Sequence, residues 1–573
     1  MNERVSLDKI RTYTDGRMQF MVGLCEKVGL PQIFDEHMMK ETGRPREITP
    51  GVEAMLMISL MSQEGYHPLY HMNDLFKEKD LEGIFHSPIE LKQINDDRFG
   101  YFLDEFHKVG CRKIFSSICT NALLIYGIKI GNINFDTTSY VMWGEYETAE
   151  GKTGAISIDF GHSKAKRPDK KQLKIGIGTA NGTIVDAKVL SGNMDDKTYN
   201  KENIDDANEL LERLNIDRNS FFYIADSALF TFENIQKMNN PKTKINFITR
   251  VPDNIKIAKQ LIEKGHGENP KRVIYKNAHN KDVVYFTEDI TGEYEGNVLK
   301  FVTIVSESLI PIKTKTCEKK LISEEEKIKG VIKGFCNKKF ACNEDAQREL
   351  LLLQEKVLSK FKFHKFSVST RKTEKKRVGR PSLKATDNMD TLEYSLDIIS
   401  EKDDLKIQEH IRKESTFILA SNNLNITGEE MLMEYKTQST VENKFQQLKN
   451  PHFVNSLYLE KPERIEALTY IILATLMIMS IAETVVRRGL KAENETVIGT
   501  GNFIKKQPTL LMIFRIFENV LYQSVEINGM KLRRLLKPLN ESQQKIMRYL
   551  NMSESIFAYN NKDIRSEIPK LKH

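Results

Sequence analysis

Three carboxylates stand in contexts that could do chemistry. Asp136 closes the apolar run INFD behind Ile133 and Phe135, Asp226 closes FFYIAD, and Glu442 lies within EYKTQSTVENKFQQLK, residues 434–449. Open α/β sheets collect ligand sites where their strands end, so the two aspartates can converge at one sheet edge. Either one alone reads better as an ordinary helix cap or Asx-turn. Three carboxylates brought within a few ångströms raise one another's pKa unless a cation neutralises them. Hard oxygen donors with few histidines or cysteines nearby favour Mg²⁺ or Mn²⁺. Two such ions, about 3.5 to 4 Å apart, activate a water or a 3′-hydroxyl and stabilise the leaving oxygen of a phosphodiester. The chemistry that suits this set is phosphoryl transfer on nucleic acid.

The segment around Glu442 has a further property. On one continuous helix, at about 100° per residue, Tyr435, Gln438, Glu442 and Lys449 fall within a sector of about 60°. A phenol, an amide, a carboxylate and an ammonium then share a face, which reads either as a site or as a solvated stripe. Lys164, Lys166, Arg167, Lys170, Lys171 and Lys174 crowd a loop and strand shortly after Asp136. Arg380, in RVGRPS, reads as a minor-groove contact of the AT-hook kind or as part of a flexible basic linker.

The elements that must position these residues change character along the chain. Residues 1–128 read as helices, with Thr49-Pro50 opening one and Asn95 capping another. Short β-prone runs begin at NINFDTTSYVMW (132–143) and continue through AISIDFG and QLKIGIGTANGTIVDAKVL, where Asn181-Gly182 signals a hairpin. A helix over 205–214, a strand in FFYIADSALF, a helix at FENIQKM and a strand at INFITRV follow. This is a mixed α/β core, residues 129–254. Residues 255–415 depart from that plan with further strands, two long helical patterns and a basic linker, and read as an inserted module. TFILASN (416–422) then returns as a core strand, so 416–490 complete the core and 491–573 form a helical tail.

Composition sets the outer limits. The chain has 573 residues, 40% of them hydrophobic, and a formal charge of +7, which permits a polyanionic partner without demanding one. Its six cysteines form no zinc-like spacing and suit a reduced, cytosolic setting. The apolar stretch 467–482 is shorter than the roughly 20 residues that span a bilayer, so it reads as a buried core helix and no membrane partner is expected.

The order strand-Asp136, strand-Asp226, helix-Glu442 resembles the DDE triad of bacterial insertion-sequence transposases with a ribonuclease H-like catalytic domain. The helix resembles their YREK signature, Tyr-x2-Arg-x3-Glu-x6-Lys, with Tyr435, Glu442 and Lys449 in register and Gln438 in place of the Arg. GHSKAKRPDKKQLKIGIG (161–178), SGNMDD (191–196) and FITRV ending at Arg250 are similar to the same family. The resemblance implies a ribonuclease H-like mixed sheet interrupted by a large insertion, with a helical N-terminal domain for DNA binding or dimerisation. It implies strand cleavage and strand transfer at element ends, with Asp136, Asp226 and Glu442 holding two Mg²⁺ or Mn²⁺ ions. Tyr435, Gln438, Lys449, Lys164, Lys166, Arg167, Lys171, Arg250 and Arg380 would contact DNA. The implied partners are double-stranded DNA, as terminal repeats and target, and further copies of the chain as a homodimer or higher oligomer. The implied setting is bacterial cytoplasm, with nucleoid association during action. A nuclease that cuts without joining, and a non-catalytic DNA-binding derivative, remain open on these residues.

Overall fold

The computed structural model describes residues 10–39, 46–65, 69–144, 146, 155–265, 270–276, 281–375, 391–450, 459–527 and 530–558. The chain divides into two compact units, Met1–Thr249 with Glu434–His573, and Arg250–Met433.

The first unit opens with helices α1 (Gly16–Lys27), α2 (Leu30–Met38), α3 (Pro50–Met61), α4 (Asp96–Val109) and α5 (Cys111–Ile125). Thr49 caps α3 by accepting from Val52 N, and Asn95 caps α4 by accepting from Arg98 N, as their positions predict. Every residue of α3 is buried. A helix with no polar face needs neighbours on all sides. It finds them in α1, α2 and the long helix Pro462–Ala492. The N-terminal helices therefore share one unit with the residues around the sheet rather than forming a separate 1–128 domain. Ile10–Tyr13 is a strand, paired antiparallel with Tyr522–Ile527, which pairs in turn with Met530–Leu535. The tail expected to be helical thus contributes strands.

The sheet of this unit contains β1 (Asn132–Val141), β2 (Gln172–Ala180), β3 (Thr183–Leu190), β4 (Phe222–Ala225) and β5 (Asn246–Arg250), in the order β3-β2-β1-β4-β5. Neighbours are antiparallel from β3 to β1 and parallel from β1 to β5. Asn181 and Gly182 turn the β2–β3 hairpin with φ of 51° and 77°, the positive values such a turn requires. AISIDFG forms no ladder, only a single bridge between Asp159 and Gln172. Helix α6 (Asp196–Arg213) covers one face, capped by Asp195. Its Tyr199 ring lies where a Cβ on Gly176 would stand, 2.5 Å away, so that position needs glycine. The buried Tyr223 hydroxyl donates to Asn200 Oδ1 and accepts from Asn203 Nδ2, which ties β4 to α6. Helix α7 (Phe232–Met238) joins β4 to β5.

The second unit contains α8 (Lys256–Lys264), β6 (Lys271–Lys276), β7 (Asp282–Tyr294), β8 (Asn297–Ser306), α9 (Ile310–Cys336), α10 (Asn343–Lys356), β9 (His364–Lys375), β10 (Thr391–Lys402), α11 (Asp404–Glu414) and β11 (Thr416–Ser421). β11, β8, β7 and β6 follow one another as antiparallel neighbours. The β9–β10 hairpin packs Leu396 and Ile398 against Leu353 and Leu358. Because β11 is laddered to β8, the interrupting unit extends past the expected 255–415 boundary. Arg380 lies outside the described residues.

Returning to the first unit, α12 (Gly428–Lys436) straddles the unit boundary and is followed by α13 (Ser439–Leu448), α14 (Pro462–Ala492) and α15 (Leu510–Arg515). Helix α14 is long and apolar enough to cross a membrane by length and composition, yet 94% of its most apolar window is buried in the protein. Residues 467–482 are the core helix that their hydropathy suggests.

Candidate active site

The hydrogen-bond ladder brings the first two acids together. β1 and β4 run parallel with Phe135 opposite Ala225, so Asp136 and Asp226, the next residues, stand side by side. Adjacent strands lie about 4.8 Å apart. Side chains alternate along β1: Phe135 stacks on Tyr223 and Thr137 reaches α6, so Asn134 and Asp136 point to the opposite face. Asp226 also caps a short turn, accepting from Ala228 N at 3.0 Å, while its carbonyl accepts from Thr249 Oγ1 at 2.6 Å.

Asp136 Oδ1 accepts from Lys164 Nζ at 3.0 Å, and the same ammonium donates to the Thr137 carbonyl at 2.8 Å. Lys164 also lies 3.4 Å from Asp196, the first residue of α6. Asp196 accepts from Thr137 Oγ1 at 2.7 Å and pairs with the buried Lys174 at 3.2 Å. Burial and the neighbouring Asp136 charge push the Asp226 carboxyl above the usual carboxylate range, against the pull of Ala228 N and Lys164. Burial opposes the Asp196 charge, yet Lys164, Thr137 and Lys174 hold that carboxyl below its ordinary value. Burial works against Lys164 too, but Asp136 and Asp196 keep its proton more firmly held than usual.

The helix expected to run unbroken from 434 to 449 does not. α12 ends at Lys436 and α13 starts at Ser439, with Gln438 at its N-cap position. Between them the backbone tightens: Thr437, Gln438, Thr440 and Val441 each donate to the carbonyl three residues back. The reason is local. Thr437 Oγ1 donates to the Glu434 carbonyl at 2.6 Å and Thr440 Oγ1 to the Thr437 carbonyl at 2.8 Å, so hydroxyls compete with the backbone ladder. A 3₁₀ step turns about 120° rather than 100°, so four such steps carry Tyr435 from about 20° on one side of Glu442 to about 60° on the other. Tyr435 and Glu442 therefore no longer lie as close in angle as an ideal helix predicts. Glu442 and Lys449 still do, on the exposed side of α13, while Val441, Lys444, Phe445 and Leu448 are buried.

Polar contacts fasten α13 over the sheet. Thr440 and Thr179 share a hydroxyl hydrogen bond at 2.8 Å, Thr437 Oγ1 lies 2.9 Å from Asn134 Oδ1, and Asn132 donates to Glu434. Lys444 is 3% exposed and pairs with Glu483 of α14 at 3.1 Å. Burial pulls the Lys444 proton affinity down. At the far end of α13, burial and then the Lys164 charge lower the Lys449 pKa, with Asp136 opposing. The helix thus runs from the level of Asn134 toward Asp136. Glu442 lies about 3 Å along α13 from Thr440, and Asp136 about 6.6 Å along β1 from Asn134. Among the described residues no three His, Cys, Asp or Glu side chains converge as a ready metal cage, so Glu442 is not gathered with the two aspartates.

The other sequence-selected residues divide. Lys164 and Lys449 belong to the carboxylate cluster. Arg167 pairs with Asp169 at 2.7 Å and covers the exposed Trp143 ring together with Lys170, while Lys171 donates to the Tyr146 carbonyl. Lys166 is exposed at a positive-φ turn. Arg250, in the second unit, pairs with Asp253 at 3.0 Å and lies over Phe417. Asp196 and Lys174 are the cluster members that the motif reading did not select as a pair. Asp196 sits in the SGNMDD turn, whose two successive acids before a helix are the available signal.

Residues 146–478, more than half of the chain, match a family described as transposase DDE domain. Residues 16–120 match a domain of unknown function, DUF4277. No curated protein matches the sequence. Among solved structures the chain is similar to a piggyBac transposase synaptic complex with hairpin DNA. The identity is 9%, the TM-score 0.39, and the match covers 97% of this chain and 86% of that one, a likeness too distant to assign a function.

Proposed function

This chain belongs to the DDE transposase family and is an enzyme of DNA transposition, and from that premise we propose that Asp136, Asp226 and Glu442 are its catalytic carboxylates. The observation that carries the proposal is the parallel register of β1 and β4, which sets two carboxylates side by side, where burial and then the charge of Asp136 raise the proton affinity of Asp226. Such a pair calls for a cation. An all-oxygen donor set suits Mg²⁺ or Mn²⁺. Two bound ions would supply Lewis acidity to the attacking and leaving oxygens of a phosphodiester. Glu442, on the open side of α13 and not gathered with the two aspartates in this structure, is the third ligand of this reading and has to be brought to them. A sheet ordered β3-β2-β1-β4-β5, with three antiparallel strands followed by two parallel ones, supports a ribonuclease H-like core.

The residues around the acids bind and orient DNA. Lys164 and Lys449 place two ammonium groups beside Asp136, and a phosphate between them relieves their mutual repulsion. Gln438 and Tyr435 approach the backbone from the other end of α13, and Lys166, Arg167, Lys171, Arg250 and Arg380 extend the contact. The DNA is the ends of the element and then its target, held by two or more copies of the chain with the N-terminal helices contributing to end binding or pairing. Action in a bacterial cytoplasm, at the nucleoid, fits this role.

Incubation of the protein with a supercoiled plasmid carrying the gene and its native flanks tests the reading, with Mg²⁺, Mn²⁺ or EDTA. Breaks confined to the element boundaries, followed by joining to a target and lost in Asp226→Asn, are the expected outcome. Boundary breaks without joining would turn the reading to a nuclease. Boundary binding without breaks under either metal would turn it to a non-catalytic DNA-binding protein.

A further inference from the structure

A cavity of about 820 Å³ opens at the C-terminal half of α14, where the turn leading into β1 and the β2–β3 hairpin meet it. Five cations line it, Lys129, Arg487, Arg488, Lys491 and Lys506, and no carboxylate does. The two arginines are held in place by neutral acceptors that leave their charge in force. Arg488 donates to the carbonyls of Tyr126 and Gly127 at 2.7 and 3.1 Å, and Arg487 Nε donates to that of Pro508 at 2.8 Å. Arg487 also meets Glu483 at 2.7 Å, but Lys444 shares that carboxylate, so the three groups keep a net positive charge. Lys129 and Lys491 are exposed and have no ion-pair partner among the described residues.

Like charges gathered in a concave site repel one another and are relieved by a polyanion that releases its own counterions on binding. Lys129 precedes Asp136 by seven residues, so the chain between them spans at most about 25 Å. That is roughly seven steps of a duplex at 3.4 Å each.

We propose that this cavity binds the sugar-phosphate backbone of duplex DNA at a distance of several base pairs from the scissile phosphate. The inference rests on the proposed DNA chemistry of Asp136 and Asp226 and adds a second anchoring point outside it. Contacts here are to phosphate, so they position the duplex without reading its sequence. Their signature is a strong dependence on salt.

The test is binding, measured by fluorescence anisotropy in EDTA over a range of salt, on a duplex of about 40 base pairs with a single strand of the same length beside it. The double variant Lys129→Ala/Lys491→Ala removes two exposed ammonium groups and leaves the anchored arginines in place. Its slope of log affinity against log salt falls by about 2 on the duplex, with about a tenfold weaker affinity near physiological salt. Lys315→Ala/Lys319→Ala, two exposed lysines on α9, serves as the control pair. An unchanged slope in the cavity variant, an equal loss in the control pair, or an effect confined to the single strand overturns the proposal. Failure of the wild-type protein to bind any DNA would overturn the DNA reading of the carboxylate site instead. Circular dichroism of each variant separates loss of binding from loss of fold.

Discussion

The sheet and the helices of the first unit hold their acids by different means. Asp136 and Asp226 are placed by a hydrogen-bond ladder: one parallel register leaves both carboxylates adjacent, partly buried and in each other's field. The helix-borne acids are placed by which face of their helix is buried. Glu53 on α3 and Glu483 on α14 point inward and are met by Arg46 and Arg98, and by Lys444 and Arg487. Glu442 points outward from α13 and is met by none of the two aspartates. A ladder can hold two like charges together because backbone bonds supply the restraint, whereas a helix face sorts its acids into neutralised interior positions and solvated exterior ones. Reactive acids are therefore sought on paired strands first, and helix acids have to be brought to them.

Breaking the strand pair has the largest expected effect. Asp226→Asn lowers metal-dependent DNA cleavage by about a thousandfold, about 4 kcal/mol of transition-state stabilisation, while DNA affinity in EDTA stays near wild type. Quantified plasmid cleavage beside a binding assay checks both halves. Glu442→Gln follows, with about a hundredfold loss of cleavage and no change in thermal stability, because the side chain is exposed. Cleavage at the wild-type rate in Glu442→Gln would remove this residue from the site and make the contrast between sheet and helix absolute.

Lys444→Met tests how α13 is held. Truncating one partner of a buried pair is strongly destabilising in general, but Arg487 and the Leu510 amide still meet Glu483. The expected loss is about 2 kcal/mol by urea denaturation. The smallest effect concerns Glu53, which is 3% exposed and whose pKa burial raises to about 7 against the pull of Arg98 and Arg46. A carboxyl whose folded pKa exceeds its unfolded value contributes stability below the unfolded pKa and loses it as pH rises through the folded one. Wild-type stability accordingly falls by about 1 kcal/mol between pH 6 and pH 7, and Glu53→Gln flattens that slope. Denaturation midpoints at the two pH values decide the point.

Much of this was legible in the sequence where the signal is local. Asn181-Gly182 announces its hairpin because both positions must accept positive φ, and Thr49 and Asn95 announce their helices through the oxygen each supplies to a free amide. Asp226 follows the last residue of its strand as its context suggests, whereas Asp136, read as a strand end, lies inside β1, because the polar residues after it continue the ladder with β2 as far as Val141. The tightened link between α12 and α13 was missed because an ideal period ignores hydroxyls that bond back to the helix backbone. Asp196 was missed as a partner of Lys164 because its place depends on where α6 begins relative to β1. The strand at Tyr522–Ile527 was missed although its partner Met530–Leu535 follows directly after Asn528-Gly529 in the sequence; its other partner, Ile10–Tyr13, lies at the other end of the chain.

The alternation of strands and helices, the apolar runs that lead into Asp136 and Asp226, and the apolar core helix were all set within the sequence. Each follows from residue type and short-range spacing, which act over a few residues of chain. Only the tertiary structure decided that β1 and β4 run parallel in the register that sets Asp136 against Asp226. It alone brought Lys164 and Lys174 to Asp196, buried Lys444 against Glu483, and gathered five cations around one cavity. Those outcomes depend on packing between segments far apart in the chain, where burial and field strength, rather than spacing, choose which charges meet.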